Sequence, residues 1–386
     1  MPNIKRELKK MSKLEPNTQH ALILELIQES NAKDLILISK KAAENDVLAQ
    51  AITNKAKSFL SSEKSNYRYY ALESLKNMNT EEADDIFIKS LNYGDTDMLR
   101  VAIIECGKRK LRGSVDLIIE HVGSDKKHVT RNAIDALGEI GDKKAVDIII
   151  KQIDYHDSSI SNSIKVSYIA EALEKLKDPK AIPALIRAHK SGEVFCANTE
   201  IVNAIGALGA EEYLDLLDGW KKNSIVPAEH AAIKAVFGKI KTPSIIPYLR
   251  NCLNGSAASW EETIVMLGNT GCIEAAPTIL DGTVFATFPQ SWISNGSLSR
   301  INLSGAKALL KLPQAEVLEM LLWHFEDLTQ KKVPLQRSLF YDFCEPFIEN
   351  ITDITAQPLL ETLVDYHKKS IRNAALKSLN RIKEIL

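Results

Sequence analysis

The stretch from Arg131 to Asp142 reads Arg-Asn-Ala-Ile-Asp-Ala-Leu-Gly-Glu-Ile-Gly-Asp, and related stretches recur along the chain. Apolar residues at helical spacing predict an amphipathic helix, and Gly141-Asp142 predicts a turn into a second, apolar helix over 145–153. With Leu137 as the anchor, equivalent residues lie mostly 30 to 36 positions apart. These anchors are Leu75, Cys106, Leu137, Leu173, Ile205, Phe237, Leu267, Leu309, Cys344 and Leu379. Repetition at this period predicts stacked helical hairpins, because one hairpin cannot bury its own apolar face.

The turn between the two helices of a unit has a recognisable chemistry. In Lys177-Asp178-Pro179-Lys180, the Asp side chain is expected to accept hydrogen bonds from helix N–H groups, and the Pro suits the first helical position. One further column, next to the anchors, holds Gly138, Gly206, Gly238 and Gly268. A missing side chain there predicts a close approach of two helices.

Residues 137–146 and 176–185 resemble the HEAT-like repeats first described in phycobilisome lyases. The resemblance covers most of residues 65–280, and it implies an all-α, armadillo-type fold. We expect a right-handed α-α superhelix of about ten HEAT-like hairpins, with the second helices lining a concave, protein-binding face. Four segments are predicted: a degenerate N-terminal cap and repeats (1–64), regular repeats (65–281), an insertion loop (282–300) and divergent C-terminal repeats (301–386).

The insertion at 282–300 departs most from the repeat, and it carries Phe285, Phe288 and Trp292 among small polar residues. Long loops in compact arrays are often functional, and aromatic residues are common anchors of binding energy. These three residues are therefore candidate partner-binding residues. A second interpretation is that they fold back and fill a gap in the array.

Charge argues against nucleic acid as a partner. Lys plus Arg (49) and Asp plus Glu (50) nearly cancel, which leaves a net charge of -1. One column of the second helices alternates in sign and forms no continuous phosphate-binding stripe: Glu120, Lys151, Arg187, Gly219, Asn251 and Asp281. Lys151, Arg187 and Asn251 from this column are added to the candidate partner-binding residues. The compact basic cluster at 108–112 is interpreted as a solvated turn.

Known catalytic patterns do not occur in the chain. The deoxyhypusine hydroxylases are built from similar repeats but carry His-Glu pairs that hold iron, and this sequence contains no His-Glu step. It also lacks HExxH, P-loop, GxSxG and GxGxxG motifs. The sequence therefore predicts no catalytic, metal or cofactor site. Two enzymatic alternatives on the same repeats stay open, a bilin lyase-like and an alkylpurine DNA glycosylase-like activity.

Two irregular stretches are interpreted as structural. Tyr155 to Ser163 lengthens one link between units; its His156 and Asp157 need no catalytic role, because a loop rich in Ser and Asn explains the stretch. Trp323-His324-Phe325 lies in an apolar helix and is expected to form a core or interface face.

Five isolated cysteines without a CxxC pair predict reduced thiols, and Cys106 is expected in the core. No run of 18 apolar residues is present, so no membrane span is predicted. A cytoplasmic location fits these features, and the resemblance to the HEAT-like repeats implies a bacterial origin. The function predicted from the sequence is a non-catalytic scaffold whose partner is another protein.

Overall fold

The computed structural model describes residues 4–11, 15–43, 45–193, 197–253, 256–283, 297–330 and 334–385. Within these ranges the regular structure is helical and no strand occurs, which confirms the all-α fold class. The chain divides into two compact units, residues 1–208 and 209–386.

In the first unit the helices are stacked hairpins. Their bounds are α1 Ile4–Met11, α2 Pro16–Glu29, α3 Ala32–Ala42, α4 Asp46–Leu60, α5 Ser65–Leu75, α6 Glu81–Ser90, α7 Thr96–Lys108, α8 Val115–Ile119, α9 Lys127–Ile140, α10 Val146–Ile150, α11 Ile160–Leu176, α12 Ile182–Ser191 and α13 Asn198–Gly209. Helix α3 packs on α5, α5 on α7, α7 on α9 and α9 on α11. The first helices of successive repeats therefore form one continuous layer within this unit.

The second unit repeats the arrangement. Its helices are α14 Leu214–Asn223, α15 Pro227–Phe237, α16 Ile246–Arg250, α17 Ala257–Asn269, α18 Ala275–Asp281, α19 Ser297–Leu309, α20 Gln314–Gln330, α21 Pro334–Glu349, α22 Gln357–Thr362 and α23 Lys369–Ile385. Helix α17 packs on α19, α19 on α21 and α21 on α23. Helix α19 starts inside the segment that the sequence assigned to the insertion.

The predicted anchors occupy alternate helices, one on each odd-numbered helix from α5 to α23. Leu379 is 8% exposed and the other anchors are fully buried. The anchor column is therefore the centre of the core in each unit, and Cys106 lies in it as expected.

The turns inside the hairpins follow the predicted chemistry. Asp142 and Asp178 accept a hydrogen bond from the backbone N–H two residues later, each at 3.0 Å. Gly141, at φ +77°, ends α9 in the left-handed region, and Lys177 does the same for α11 at φ +52°. The second helix is shorter than the expected 145–153. A 3-10 turn over Lys143–Ala145 leads into α10, which stops at Ile150.

The glycine column marks close helix contacts at some positions. A Cβ on Gly138 would lie 3.0 Å from the Cα of Ala172, and one on Gly268 only 2.6 Å from the Cα of Ala308. At Gly238 the facing atoms belong to the flexible Met266 side chain instead. Gly107 was not among the glycines predicted for this column, and it makes an equally close contact with α9.

Candidate functional site

A cleft of about 440 Å³ opens in the first unit between α9 and α11 and the two loops that precede them. Its walls are Gly123, Ser124, Lys127, His128, Thr130, Arg131, Gln152, Asp154, Asp157, Ser161, Asn162, Ile164, Lys165 and Tyr168. We call it the α9–α11 cleft. Three residues of the stretch at 155–163 line it, although the sequence analysis interpreted that stretch as a link between units.

The loop beside the cleft is held by the buried Asn162, which is 3% exposed. Its Nδ2 donates to the carbonyl oxygens of Asp154, at 2.8 Å, and Asp157, at 2.7 Å. The Ser159 Oγ caps α11 by accepting the N–H of Asn162 at 3.1 Å. These bonds satisfy backbone groups that the bend in the chain would otherwise leave unpaired. The loop that forms this wall is therefore held by Asn162 and Ser159.

Cationic side chains line the α9 side of the cleft. Lys127 is exposed, and its Nζ lies 3.2 Å from the Oγ of Ser161. The Arg131 guanidinium stacks 5.4 Å from the ring centroid of Tyr168, and its Nε lies 3.7 Å from the carboxylate of Asp135. Helix α9 has no acidic residue in its first turn. At the N-terminal end of α9 the cations therefore outnumber the carboxylates of the same helix, and this end carries a net positive charge.

Exposed apolar side chains follow one face of α11. Ile160 and Ile164 are 65% and 52% exposed, and Tyr168, one turn further along, is half-buried. Burial is the main cause that raises the pKa of Tyr168, and the charge of Asp135 adds to it. These side chains give this face of α11 an exposed apolar surface.

Two carboxylates complete the cleft. Asp154 Oδ1 accepts the N–H of His156 at 2.9 Å, and Asp157 Oδ1 accepts that of Ser159 at 2.8 Å. The bonds from Ser159 lower the pKa of Asp157, with smaller contributions from the charges of Lys165 and Lys127. The cleft thus combines cations, carboxylates and apolar surface.

The candidate residues from the sequence do not converge on this cleft. Lys151 and Arg187 are exposed in the first unit, where the Arg187 guanidinium stacks 4.9 Å from the ring centroid of Tyr155. Asn251 is exposed at the end of α16 in the second unit. Phe285, Phe288 and Trp292 lie outside the described residues. The sequence analysis missed the cleft residues. Ile160 and Ile164 lie off the buried stripe of α11, and this position in the helical pattern could have predicted that they are exposed.

A column of aspartates on the second helices is used between repeats. Lys144 lies 3.6 Å from Asp116, Lys180 lies 2.7 Å from Asp147, and the Tyr248 hydroxyl donates to Asp215 at 2.6 Å. In each case the donor comes from the following repeat. These carboxylates therefore link neighbouring repeats and form no separate acidic patch.

The basic cluster at 108–112 is partly structural. The Arg109 guanidinium donates to the carbonyl oxygens of Leu75, Lys76 and Met78 and to Asp84, at 2.8 to 3.1 Å. Its side chain is only 13% exposed. Arg109 therefore closes the C-terminal end of α5 and does not face a ligand in solution.

The aromatic stretch in α20 divides between core and surface. Phe325 is 2% exposed and packs against Phe340, Tyr341 and Tyr366, whereas Trp323 is 61% exposed. The expectation of a core face is thus confirmed for Phe325. Among the residues that the structure describes, no three His, Cys, Asp or Glu side chains are grouped as metal ligands.

Family models match the repeats in the first unit. The model of HEAT repeats matches residues 85–167, and that of the PBS lyase HEAT-like repeat matches residues 167–188. The chain carries HEAT-like repeats. The matched HEAT-like repeats include both helices that form the cleft.

Two phycocyanobilin lyase subunits are similar to part of this chain. The chain is similar to the phycocyanobilin lyase subunit alpha of Nostoc sp. strain PCC 7120, at 25% identity over 49% of this chain and 73% of the relative. It is also similar to the subunit of that name from Picosynechococcus sp. strain PCC 7002, at 25% identity over 39% of this chain and 58% of the relative. A solved complex of CpcE and CpcF of phycocyanin lyase from Nostoc sp. PCC7120 aligns at 22% identity and a TM-score of 0.37, over 59% of this chain and 87% of that chain.

In the part of the chain that the structure describes, no helix combines the length and the apolar character that crossing a bilayer requires.

Proposed function

We propose that this chain is a non-catalytic scaffold that binds another protein. The observation that carries the proposal is the α9–α11 cleft, whose loop is held by the hydrogen bonds of Asn162 and whose wall mixes cations, carboxylates and the exposed Ile164. Rigid, preformed surfaces bind with a smaller loss of conformational freedom than mobile ones. The inter-repeat contacts of Lys180 with Asp147 and of Lys144 with Asp116 support such a frame.

The contact residues remain part of the proposal. Lys151, Arg187 and Asn251 are exposed side chains of the second-helix column, and Phe285, Phe288 and Trp292 are the candidates in the insertion. Both sets are proposed to contribute to partner binding. Aromatic anchors supply more binding energy than exposed single charges, so the insertion is expected to dominate if it touches the partner.

The test is a pull-down from an extract of the source organism, with the partner identified by mass spectrometry and its binding measured again with purified protein. The wild type is compared with a Phe285→Ala, Phe288→Ala, Trp292→Ala variant and with a Lys151→Ala, Arg187→Ala, Asn251→Ala variant, each checked for unchanged helicity. A specific partner that binds the purified chain is the expected result. Absence of any specific partner would contradict the scaffold function.

A second candidate function is bilin attachment, and a specific observation favours it. The two named relatives are phycocyanobilin lyase alpha subunits, and the match spans 73% of the first of them. The test is incubation of the purified chain with phycocyanobilin and an acceptor apoprotein. Covalent transfer, seen as zinc-enhanced fluorescence of the acceptor on a denaturing gel, would replace the non-catalytic proposal.

The glycosylase-like alternative has no comparable support. In the first unit the exposed Lys151 and Arg187 share their column with Glu120, and Arg109, a partly buried cation of the basic cluster, is used inside the fold. A duplex-binding face needs a continuous row of cations along the phosphates.

A further inference from the structure

We infer that the α9–α11 cleft binds a linear, acidic segment of the partner protein. The segment inserts one apolar side chain into the cleft, and its own carboxylates lie on both sides of that side chain. This inference deepens the proposed scaffold function and rests on it. It assigns a class of ligand to the cleft. Among the residues that the structure describes, none of the candidate partner-binding residues predicted from the sequence line this cleft.

The charge of the cleft favours an acidic ligand. Lys127, Arg131 and Lys165 line it, against the two carboxylates of Asp154 and Asp157. Both aspartates already accept backbone N–H groups of their own loop. The amine of Lys127 lies 3.2 Å from the neutral hydroxyl of Ser161. Because Arg131 is already paired with Asp135, glutamates or aspartates on a bound segment would be attracted mainly by Lys127 and Lys165.

The apolar side of the cleft favours an inserted side chain. Ile164 presents about half of its surface to solvent, and the half-buried Tyr168 ring lines the same cleft, with the Arg131 guanidinium 5.4 Å from its centroid. A volume of about 440 Å³ admits a branched aliphatic or aromatic side chain together with part of a backbone. Covering Ile164 and Ile160 removes apolar surface from water, which favours binding.

The two aspartates distinguish a peptide from nucleic acid. Asp154 and Asp157 would repel a phosphate chain that ran along the same wall. A peptide has backbone N–H groups, which a carboxylate can accept, and it can place its acidic side chains toward α9. The mixed charge of the cleft therefore fits a polypeptide better than a polyanion.

The experiment is a selection of random 12-residue peptides, displayed on phage, against the immobilised full chain. Enriched sequences are expected to contain Asp or Glu on both sides of a Leu, Ile, Phe or Trp. The affinity of a synthetic, fluorescein-labelled copy is then measured by fluorescence anisotropy. The Lys127→Glu, Lys165→Glu variant is expected to weaken binding about tenfold or more, because both reversals repel the ligand.

Matched variants make the result specific. Lys33→Glu, Lys40→Glu changes the net charge equally on exposed positions of α3, away from the cleft, and it is expected to leave the affinity unchanged. Ile164→Ser is expected to weaken binding, whereas Val47→Ser, at a side chain 61% exposed on α4, is not. A peptide with its acidic residues changed to Lys is expected to prefer the Lys127→Glu, Lys165→Glu variant.

Three outcomes would overturn the inference: no enriched peptide, enriched peptides without acidic residues, or equal affinity for the cleft variant and its matched control. A labelled random-sequence single-stranded oligonucleotide that binds the wild type and is lost in the cleft variant would also overturn it. The scaffold function is judged separately by the native partner. A partner that still binds the cleft variant leaves the scaffold standing and removes only this site.

Discussion

Single atoms decide how closely the first helices pack. A Cβ on Gly107 would lie 2.7 Å from the Cα of Ala136, which is well inside the van der Waals contact distance of two carbons. The facing atom belongs to the α9 backbone, so it cannot turn aside as a flexible side chain does. The small residues of this column therefore set the distance between neighbouring repeats.

We expect Gly107→Ala to lower the free energy of unfolding by about 1–2 kcal/mol, because overpacking outweighs the gain in helix propensity. Gly123→Ala is the matched control, since no atom lies within 4 Å of its added Cβ. Urea unfolding followed by circular dichroism measures both. Equal stability of the two variants would show that α7 and α9 can move apart without cost.

Arg109 is a second residue whose role depends on its surroundings. It binds three carbonyl oxygens at the end of α5 and stacks 4.9 Å from the ring centroid of Phe87. We expect Arg109→Met to cost about 2–4 kcal/mol of unfolding free energy, because these carbonyls lose their partner in a half-buried place. Arg112→Met, at an exposed position of the same cluster, is expected to change stability by less than about 0.5 kcal/mol.

At the scale of helices, exposed ion pairs orient neighbours without adding much stability. Lys175 on α11 lies 2.7 Å from Glu139 on α9, and both side chains are close to half exposed. The bond from Lys175 lowers the pKa of Glu139 below its ordinary 4.5. A lowered carboxyl pKa stabilises the fold above the ordinary value, and that stabilisation is lost as the pH falls through the lowered one.

We therefore expect Glu139→Gln to cost less than about 1 kcal/mol at pH 7, since solvent screens the pair. The difference from the wild type is expected to shrink as the pH falls below 4.5, and to vanish once the pH is below the lowered pKa of Glu139 in the folded chain. Thermal unfolding midpoints at pH 7 and at a pH below 4.5 measure the effect. Glu212→Gln, at an exposed position in the second unit, serves as the control. A difference that grows at low pH would contradict the assignment.

On the scale of the whole molecule, stability is expected to be distributed along the chain, because each repeat packs mainly on its neighbours. We expect residues 1–208, made alone, to be helical and to unfold cooperatively, since they form a compact unit of their own. Circular dichroism with thermal unfolding measures this. A fragment ending at residue 176, which lacks the second helix of its last hairpin, is expected to be less stable. An unfolded 1–208 fragment would mean that the unit depends on the rest of the chain.

The sequence predicted the helical repeats far better than the binding surface. The anchors from Leu75 to Leu379 are buried because a periodic apolar stripe has to face a neighbour. The length of α10 was wrong, because a 3-10 turn takes the first residues of the apolar run and the chain turns after Ile150. Local pattern carries little information about where a short helix stops.

The amino-acid sequence by itself determined the all-α class, the repeat period, the anchor column and the capping turns, because each depends on residues close together in the chain. Tertiary structure alone decided that Lys127, Arg131, Ile164 and Tyr168 share one cleft, since they come from two helices and meet through the packing of α9 on α11. It also decided that Arg109 serves the end of α5, more than 30 residues earlier. Charge and exposure in a folded chain depend on which side chains become neighbours, and a linear pattern does not contain those distances.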